Sequence, residues 1–223
     1  MSNSRFDTRM RALEDATNIT LDPRLPIVVR VDGKSFHSYY RHFDGHFSKE
    51  MQHAMNTAML ATMRHIGDIV FGYTNSDEIT FVLMPHEQGY YNFSGRLTKL
   101  TSIIASYVTA YFNQDTGLDD LAVFDARAFS VQSADQLLDV LTWRQKSGQR
   151  NVVSTFAREF VKPSLMQGLS TAQLEQFLVD SGIGRPKRDG FYYGYFAEKK
   201  TPQLQARLAK GSIQEIATLY LGL

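Results

Sequence analysis

The stretch DIVFGYTNSDEITFVLM, residues 68–84, consists of two apolar runs joined by a polar tip. The runs are rich in β-branched and aromatic residues, and the tip contains turn-forming residues, so the stretch predicts a β-hairpin. Its strands would cover residues 68–73 and 79–84. Because a hairpin turn lies at the rim of a sheet, the carboxylates of Asp77 and Glu78 are expected at that rim.

A second carboxylate follows an earlier apolar run, IVVRVDG at residues 27–33. A strand that ends in Asp-Gly also places its carboxylate at a sheet rim, so Asp32 and Asp77 would share a pair of divalent cations if the strands are neighbours. Mg²⁺ prefers hard oxygen ligands, usually one or two carboxylates with phosphate and water, and Gly33 can add its carbonyl. Two such ions support phosphoryl transfer. Either acidic motif alone is more simply interpreted as a surface turn. The two motifs together favour an enzyme that acts on nucleotides.

Helical patterns separate the predicted strands. Met recurs every four residues from Met51 to Met63, behind Ser48 as the N-cap, and a second apolar helical face runs over residues 93–113. A further strand is predicted over residues 122–129. The order β, α, β-hairpin, α, β predicts an α+β fold with a palm-like (ferredoxin-like) antiparallel sheet backed by helices.

The character of the chain changes near residue 130. Residues 1–130 are predicted as a palm-like catalytic core, and residues 131–223 as a helical C-terminal part packed on that core and ending in a basic tail. The predicted helices of the second part cover residues 134–146, 150–161, 170–181 and 202–222. From residue 181 onward there are seven Lys and Arg and three Asp and Glu. This surplus of positive charge is as typical of an ordinary solvated surface as of a surface that binds phosphate.

The amino-acid composition argues against some classes of protein, including membrane-spanning and disulfide-bonded proteins. The 223 residues include no apolar run near the roughly 18 residues of a membrane span, and the first 18 residues are polar and charged. The absence of cysteine excludes disulfides and thiolate metal sites and is typical of intracellular proteins, so we expect no membrane association and a cytoplasmic location. His42, Asp44 and His46 are an alternative zinc-binding group, although their spacing matches no fixed pattern.

The segment Gly33-Lys34-Ser35-Phe36-His37 follows the first predicted strand and is the candidate triphosphate loop. Successive backbone N–H groups after a strand can bind phosphates, and Phe36 or His37 can stack on a base. The segment is not a Walker loop, because the glycine-rich spacing before Gly-Lys-Ser is absent.

Two basic segments are candidates for holding a second phosphate group or RNA. Arg96 and Lys99 lie one turn apart at a predicted helix start, where anions are attracted, although ordinary helix surfaces show the same spacing. The only tryptophan lies in Trp143-Arg144-Gln145-Lys146, close to Arg150-Asn151. An aromatic and basic cluster is typical of RNA-binding surfaces, and a core Trp with an extended Arg is the alternative.

Several motifs in the same order resemble those of the tRNA-histidine guanylyltransferase family, which adds nucleotides in the 3′–5′ direction. The resemblance covers roughly residues 9–160. The motifs that carry it are Arg9-Met10-x-x-x-Glu14, Val29-Arg30-Val31-Asp32-Gly33-Lys34-x-Phe36, Phe43-Asp44, Gly72-Tyr73-Thr74-x-Ser76-Asp77-Glu78-Ile79-Thr80, Gly95-Arg96-x-x-Lys99-Leu100, Phe124-Asp125-Ala126-Arg127 and Trp143-Arg144-Gln145.

The resemblance implies residue roles. It implies that Asp32, the Gly33 carbonyl and Asp77 hold two Mg²⁺ ions, with Glu78 supporting them as a third catalytic carboxylate. The residues implied to bind the triphosphate are Gly33, Lys34, Ser35, Phe36, His37 and Ser76. The residues implied to bind a second nucleotide or the RNA 5′ end are Arg96, Lys99, Arg150, Asn151 and Lys187.

The resemblance also implies the reaction and the partners. ATP would activate the 5′-phosphate of a tRNA, and the 3′-hydroxyl of GTP or another NTP would then attack it, in a homotetrameric enzyme. The segment Gln149-Arg150-Asn151-Val152 is closer to the bacterial and archaeal branch, which is similar to enzymes that repair tRNA 5′ ends, than to dedicated tRNA-His guanylyltransferases. Two other classes fit the same residues: a palm-fold nucleotide cyclase or dinucleotide synthase that acts on free NTPs, and a non-catalytic RNA-binding protein.

Overall fold

A computed structural model describes residues 4–85, 92–199 and 203–223. The strands and helices within these residues are α1 (Ser4–Asp15), β1 (Ile27–Gly33), α2 (Phe36–Tyr39), α3 (Lys49–His65), β2 (Ile69–Asn75), β3 (Glu78–Leu83), α4 (Leu97–Thr116), β4 (Phe124–Ser130), α5 (Ala134–Arg158), α6 (Pro163–Met166), α7 (Thr171–Asp180), α8 (Gly190–Tyr193), β5 (Tyr195–Glu198), β6 (Arg207–Leu208) and α9 (Ile213–Leu221). Two short 3₁₀ turns cover Tyr40–His42 and Asn92–Gly95.

The strands form one six-stranded sheet in the order β4-β1-β3-β2-β5-β6, and every neighbouring pair is antiparallel. The first four strands follow the split βαβ arrangement, in which β3 lies between β1 and β2. The predicted α+β, palm-like sheet backed by helices is therefore confirmed. None of the helices in the described part of the chain is long and apolar enough to cross a membrane.

One face of the sheet is covered by α3, which packs on β2, and by α4, which packs on β4 and β1, and both helices share an apolar core with β3. The predicted methionine face of α3 is buried, with Met55, Met59 and Met63 no more than 1% exposed. The hydroxyl of Ser48 accepts a hydrogen bond from the Met51 N–H and caps the helix as expected. These contacts bury the apolar side of the central strands and position the rim that carries Asp32 and Asp77.

The opposite face is covered by α5 and α9, which form a second core around Val28, Phe71 and Val82. Two predicted helices, over residues 134–146 and 150–161, are in fact one continuous helix, α5. Gly148 lies inside this helix and does not interrupt it. Its lack of a side chain allows the helix to lie close to Asn75, because a Cβ at position 148 would be 2.6 Å from the Asn75 side chain. The helix therefore crosses the whole sheet and extends past the hairpin tip.

The C-terminal part contains strands as well as helices. β5 pairs with β2 and β6 pairs with β5, so this part extends the sheet of the core. The prediction of a last helix over 202–222 is wrong in its first half, where β6 lies, and α9 begins only at Ile213. Strands of four and two residues are too short to produce a recognisable alternation. The division into two parts at residue 130 stays a prediction.

Candidate active site

The two predicted acidic segments meet at one rim of the sheet. β1 and β3 are neighbours, with Asp32 directly opposite Glu78, and the Gly33 N–H donates to the backbone carbonyl of Asp77 (3.0 Å). On the other side of β1, Asp32 lies opposite Asp125 of β4. The structure thus brings together Asp32, Gly33 and Asp77, as their sequence positions predicted, and adds Asp125, a motif residue to which no role had been assigned.

The two turns beside these residues adopt an unusual backbone conformation. Ser35 (φ 57°) and Ser76 (φ 56°) are both left-handed, which is uncommon for residues other than glycine. Side-chain contacts hold the second turn: the Tyr40 and Ser76 hydroxyls are 2.7 Å apart, and Ser76 Oγ donates to the Asp77 carboxylate (3.0 Å). Such conformations cost free energy and concentrate at functional sites.

Electrostatics at the rim favour a bound cation. Burial raises the pKa of Asp77, and the nearby negative charge of Asp32 raises it further. A positive charge between the two groups would offset both effects. Carboxylate and carbonyl oxygens from Asp32, Asp77 and Gly33 are hard ligands of the kind that Mg²⁺ selects.

The donor set also limits which metal fits. Among the residues that the structure describes, no three His, Cys, Asp or Glu side chains converge on one point. Phosphate oxygens and water would have to complete the coordination, as is usual for Mg²⁺ and unusual for zinc. The alternative zinc group is not supported, because His42 contacts Asp120 (2.8 Å) whereas His46 packs on the Tyr40 ring.

A hollow of about 370 Å³ opens beside Asp77 and Gly33, and its volume is within the size range of small-molecule sites. Its lining includes Gly33, Ser35, His37, Ser76 and Asp77 from the two turns. Most of the predicted triphosphate residues therefore border one cavity. Lys34 is exposed and does not line it.

Phe36 lines the hollow but exposes little of its ring to a base, so its place in nucleotide binding stays a prediction. The residue is 2% exposed and packs in the core against Tyr39, Phe112 and Phe124. Its ring lies directly beneath the turn, since a Cβ on Gly33 would be 2.2 Å from Phe36 Cδ2. Phe36 thus supports the loop from below, whereas His37 is exposed at the hollow.

Glu78 is engaged by arginines rather than free for chemistry. Arg144 of α5 binds it through two parallel contacts, Nε to Oε1 (2.7 Å) and Nη2 to Oε2, and Arg30 Nε lies 3.5 Å from Oε2. Burial raises the pKa of Glu78, and Arg144 and Arg30 oppose that shift. These contacts tie the hairpin to α5, and the role of Glu78 as a third catalytic carboxylate stays a prediction.

The residues predicted to hold a second nucleotide or the RNA 5′ end are not gathered in one place. Asn151 lines the hollow, but Arg150 faces a neighbouring open hollow near residues 163–174. Lys187 is exposed in the loop before α8 and is not among the lining residues.

Arg96 and Lys99 lie at the opposite end of the sheet within one chain. Arg96 caps the start of α4, which is 20 residues or about 30 Å long. The end of that helix leads to Val123, whose carbonyl accepts from the Lys34 N–H (2.8 Å) at the acidic rim. These two cations are therefore not among the residues that line the hollow.

Sequence reasoning missed one side of the hollow. Ser154, Thr155 and Arg158 of α5 line it together with Asn151. The spacing of these four residues is that of one helix face. All four lie within the helix predicted over residues 150–161, so the signal was present in the sequence, but only Asn151 was recognised as a site residue.

Comparison with known proteins identifies relatives of the chain. The family model described as "Thg1: tRNAHis guanylyltransferase" matches residues 7–132. A probable tRNA(His) guanylyltransferase of Drosophila melanogaster is 31% identical over 180 residues, covering 78% of this chain and 61% of that protein. The tRNA(His) guanylyltransferase of Schizosaccharomyces pombe is 32% identical over 169 residues, covering 71% of this chain and 63% of the relative. The chain thus spans less than two thirds of the length of these two relatives.

Solved structures share the fold. A bacterial tRNA(HIS) guanylyltransferase (Thg1)-like protein in complex with ATP superposes with a TM-score of 0.85, covering 96% of both chains. Sequence identity to that protein is 24%, so the likeness establishes the architecture alone.

Proposed function

The chain belongs to the tRNAHis guanylyltransferase family, and we propose that it adds nucleotides to the 5′ end of tRNA in the 3′–5′ direction. One observation carries the proposal: Asp77 and Gly33, which lie next to Asp32 at the rim, line a hollow of nucleotide size that is bordered by two strained turns. The substrate class comes from the family and from relatives named for tRNA(His). The proposed reaction covers both tRNA-His guanylylation and the repair of truncated tRNA 5′ ends.

Two phosphoryl transfers make up the proposed reaction. In the first, an oxygen of the RNA 5′-monophosphate attacks the α-phosphorus of ATP, forms a phosphoanhydride and releases pyrophosphate. In the second, the 3′-hydroxyl of GTP or another NTP loses its proton, attacks the activated 5′-phosphorus and releases AMP. Such transfers require in-line positioning and charge neutralisation more than a strong base.

The residues of the chain supply the positioning. We expect the backbone N–H groups around Ser35 to bind the triphosphate and His37 to face the base. Arg158 and Asn151 lie across the hollow from this turn, where they would contact phosphate or the RNA end. Asp32, Asp77 and the Gly33 carbonyl would hold two Mg²⁺ ions, which when bound neutralise phosphate charge and polarise the reacting oxygens.

The choice of nucleotide would come from pairing with the opposite RNA strand. We also expect a homotetramer, as the family resemblance implies, and another copy in it would be the source of Arg96 and Lys99 if they act at this hollow. The cytoplasmic location expected from the sequence stays a prediction.

The decisive experiment incubates the protein with a 5′-truncated tRNA, ATP, Mg²⁺ and each NTP in turn. Extension at the 5′ end that follows the opposite base supports the proposal, and omission of ATP or addition of a chelator should stop it. Consumption of NTP without RNA, giving a cyclic or dinucleotide product, would instead assign the chain to free-nucleotide chemistry. RNA binding with no Mg²⁺-dependent turnover would indicate a non-catalytic protein.

A further inference from the structure

A second hollow, of about 150 Å³, lies on the α5 face of the sheet, one row of residues behind the carboxylates. Arg30, Thr80 and Arg127 form its floor, and they are cross-strand neighbours on β1, β3 and β4. Phe129, Trp143 and Arg144 form its sides. Each floor residue is two positions along its strand from Asp32, Glu78 or Asp125, so the hollow begins roughly 7 Å from the acidic row.

The sides of this hollow present an aromatic surface to solvent. Trp143 is 55% exposed and Phe129 is 37% exposed, although both border a polar site. The Arg144 guanidinium lies 4.5 Å from the centre of the Trp143 ring. Exposed aromatic rings beside guanidinium groups are the surfaces on which proteins stack unpaired bases.

The floor contains polar groups that the fold does not use. Thr80 is 1% exposed, and its hydroxyl has no hydrogen-bond partner in the described part of the chain. Arg127 is exposed and forms no ion pair with any residue that the structure describes. In contrast, Arg30 is tied to Asp32 and Glu78. A buried hydroxyl without a partner calls for a ligand or water at the site, and Arg127 offers a free cation beside it.

We propose that this hollow binds an unpaired base of the RNA next to its reacting 5′ end. The base stacks on Trp143, a polar edge of the base reaches the Thr80 hydroxyl, and Arg127 contacts the adjoining phosphate. The choice of RNA as the partner rests on the proposed function. The carboxylates then lie between the NTP hollow and the RNA hollow, as a two-substrate reaction requires.

Trp143 is the only tryptophan, so intrinsic tryptophan fluorescence reports on this hollow alone. The full chain carrying Asp77→Asn, which prevents turnover, is titrated with a single-stranded RNA oligonucleotide, with a blunt RNA hairpin and with ATP. We expect quenching by the single strand at concentrations where the hairpin and ATP have little effect. An equal response to ATP, or no response to RNA that a labelled-RNA assay shows to be bound, would overturn the inference.

Variants separate stacking from charge. Trp143→Leu should weaken binding of a fluorescently labelled single strand about tenfold, as measured by anisotropy, whereas Trp143→Phe should keep most of the affinity. Arg127→Ala should reduce the slope of log K against log salt by about 0.7. Phe160→Leu changes another exposed aromatic residue outside the hollow and is the matched control. Equal affinities for Trp143→Leu and Phe160→Leu would contradict the proposal, provided that thermal melts show both proteins folded.

The result is distinguishable from failure of the proposed reaction, because binding is measured without turnover. If stacking is observed and no 5′ addition occurs, the reaction is wrong and the RNA site stands. If 5′ addition proceeds and Trp143→Leu leaves the KM for RNA unchanged, the hollow does not bind the RNA and only this inference fails.

Discussion

The two faces of the central strands differ sharply although they share the same backbone. Toward α3 and α4, every second residue from Ile27 to Val31 and from Ile79 to Leu83 is apolar and fully buried. Toward α5, the intervening residues change from Val28 and Val82 at one end to Asp32 and Glu78 at the rim. One face therefore supplies stability along its whole length, and the other supplies stability at one end and chemistry at the other.

This difference shows how a strand can hold reactive groups rigidly. A carboxylate on a strand whose other side is packed in a core cannot move without disturbing that core. The polar side can then vary in charge without loss of the fold, because its rim residues bury little apolar area. Substitutions on the two faces should accordingly affect different measurements.

The largest effect is expected at the rim. Asp77→Asn or Asp32→Asn should reduce the rate of 5′ addition by roughly a thousandfold, since several kcal/mol of charge stabilisation would be lost. The melting temperature without metal should not fall, because the change removes one of two like charges. Single-turnover rates and thermal melts test both parts. Asp139→Asn, on an exposed part of α5, is the control, and near-normal turnover in either rim variant would refute the metal site.

Substitutions on the apolar face should lower stability, in contrast to the rim substitutions, which should lower activity. Phe81→Ala should lower the free energy of unfolding by about 3–5 kcal/mol, because a fully buried ring is replaced by a cavity. Thr80→Val, one residue earlier and on the other face, should be neutral or stabilising, because it removes a buried hydroxyl without a partner. Denaturant unfolding measures both, and similar losses from the two changes would remove the distinction between the faces.

The link between α5 and the hairpin should show strong coupling. Arg144→Leu should destabilise the protein by about 3 kcal/mol, because it leaves the Glu78 carboxylate partly buried with only the more distant Arg30. Adding Glu78→Gln should recover much of that loss. A double variant that is no more stable than Arg144→Leu would mean that the ion pair is not the source of the effect. Urea unfolding of the four proteins in the cycle gives the coupling energy.

The contact of α5 with the hairpin tip is sensitive to a single methyl group. Gly148→Ala should cost about 1–3 kcal/mol of stability and slow 5′ addition, because the new Cβ would displace Asn75. Lys146→Ala on the exposed side of the same helix should be close to neutral. Alanine ordinarily stabilises a helix relative to glycine. A Gly148→Ala protein that is more stable than the unchanged protein would therefore contradict the prediction, because it would show that the hairpin tip at Asn75 can move aside at little cost.

The smallest effect is expected where α5 passes the rim. Arg158→Ala should raise the KM for NTP roughly tenfold, because it removes a charged partner for phosphate. Arg150→Ala should affect that KM less, because Arg150 faces the neighbouring hollow. Steady-state kinetics at saturating RNA would reveal the difference, and equal KM values for the two variants would count against Arg158 as a phosphate contact.

The features that sequence predicted correctly depend on local pattern. Apolar runs rich in β-branched and aromatic residues located β1 to β4 within a few residues, and the order of the elements indicated the sheet. The meeting of Asp32 and Asp77 followed from that order, because β3 pairs with β1. The roles of the carboxylates and of the triphosphate turn stay predictions, supported by family membership and by their common cavity.

The features that sequence missed depend on distant contacts. Gly148 looked like a helix break, but its small size serves Asn75, which is 73 positions earlier in the chain. Phe36 is enclosed by Phe112 and Phe124, which leave little of its ring for a base. Glu78 is bound at both of its oxygens by Arg144, a residue far along the chain that no local pattern connects to it.

The sequence by itself therefore determined the palm-like sheet and the pair of carboxylates at its rim, because apolar runs and turn residues act over a few positions. Only the tertiary structure decided which of the nearby polar residues face the cavity, which are paired and which support the loop. Those outcomes depend on side chains brought together from far apart in the chain, and packing selects them through burial and ion pairing that no local pattern records.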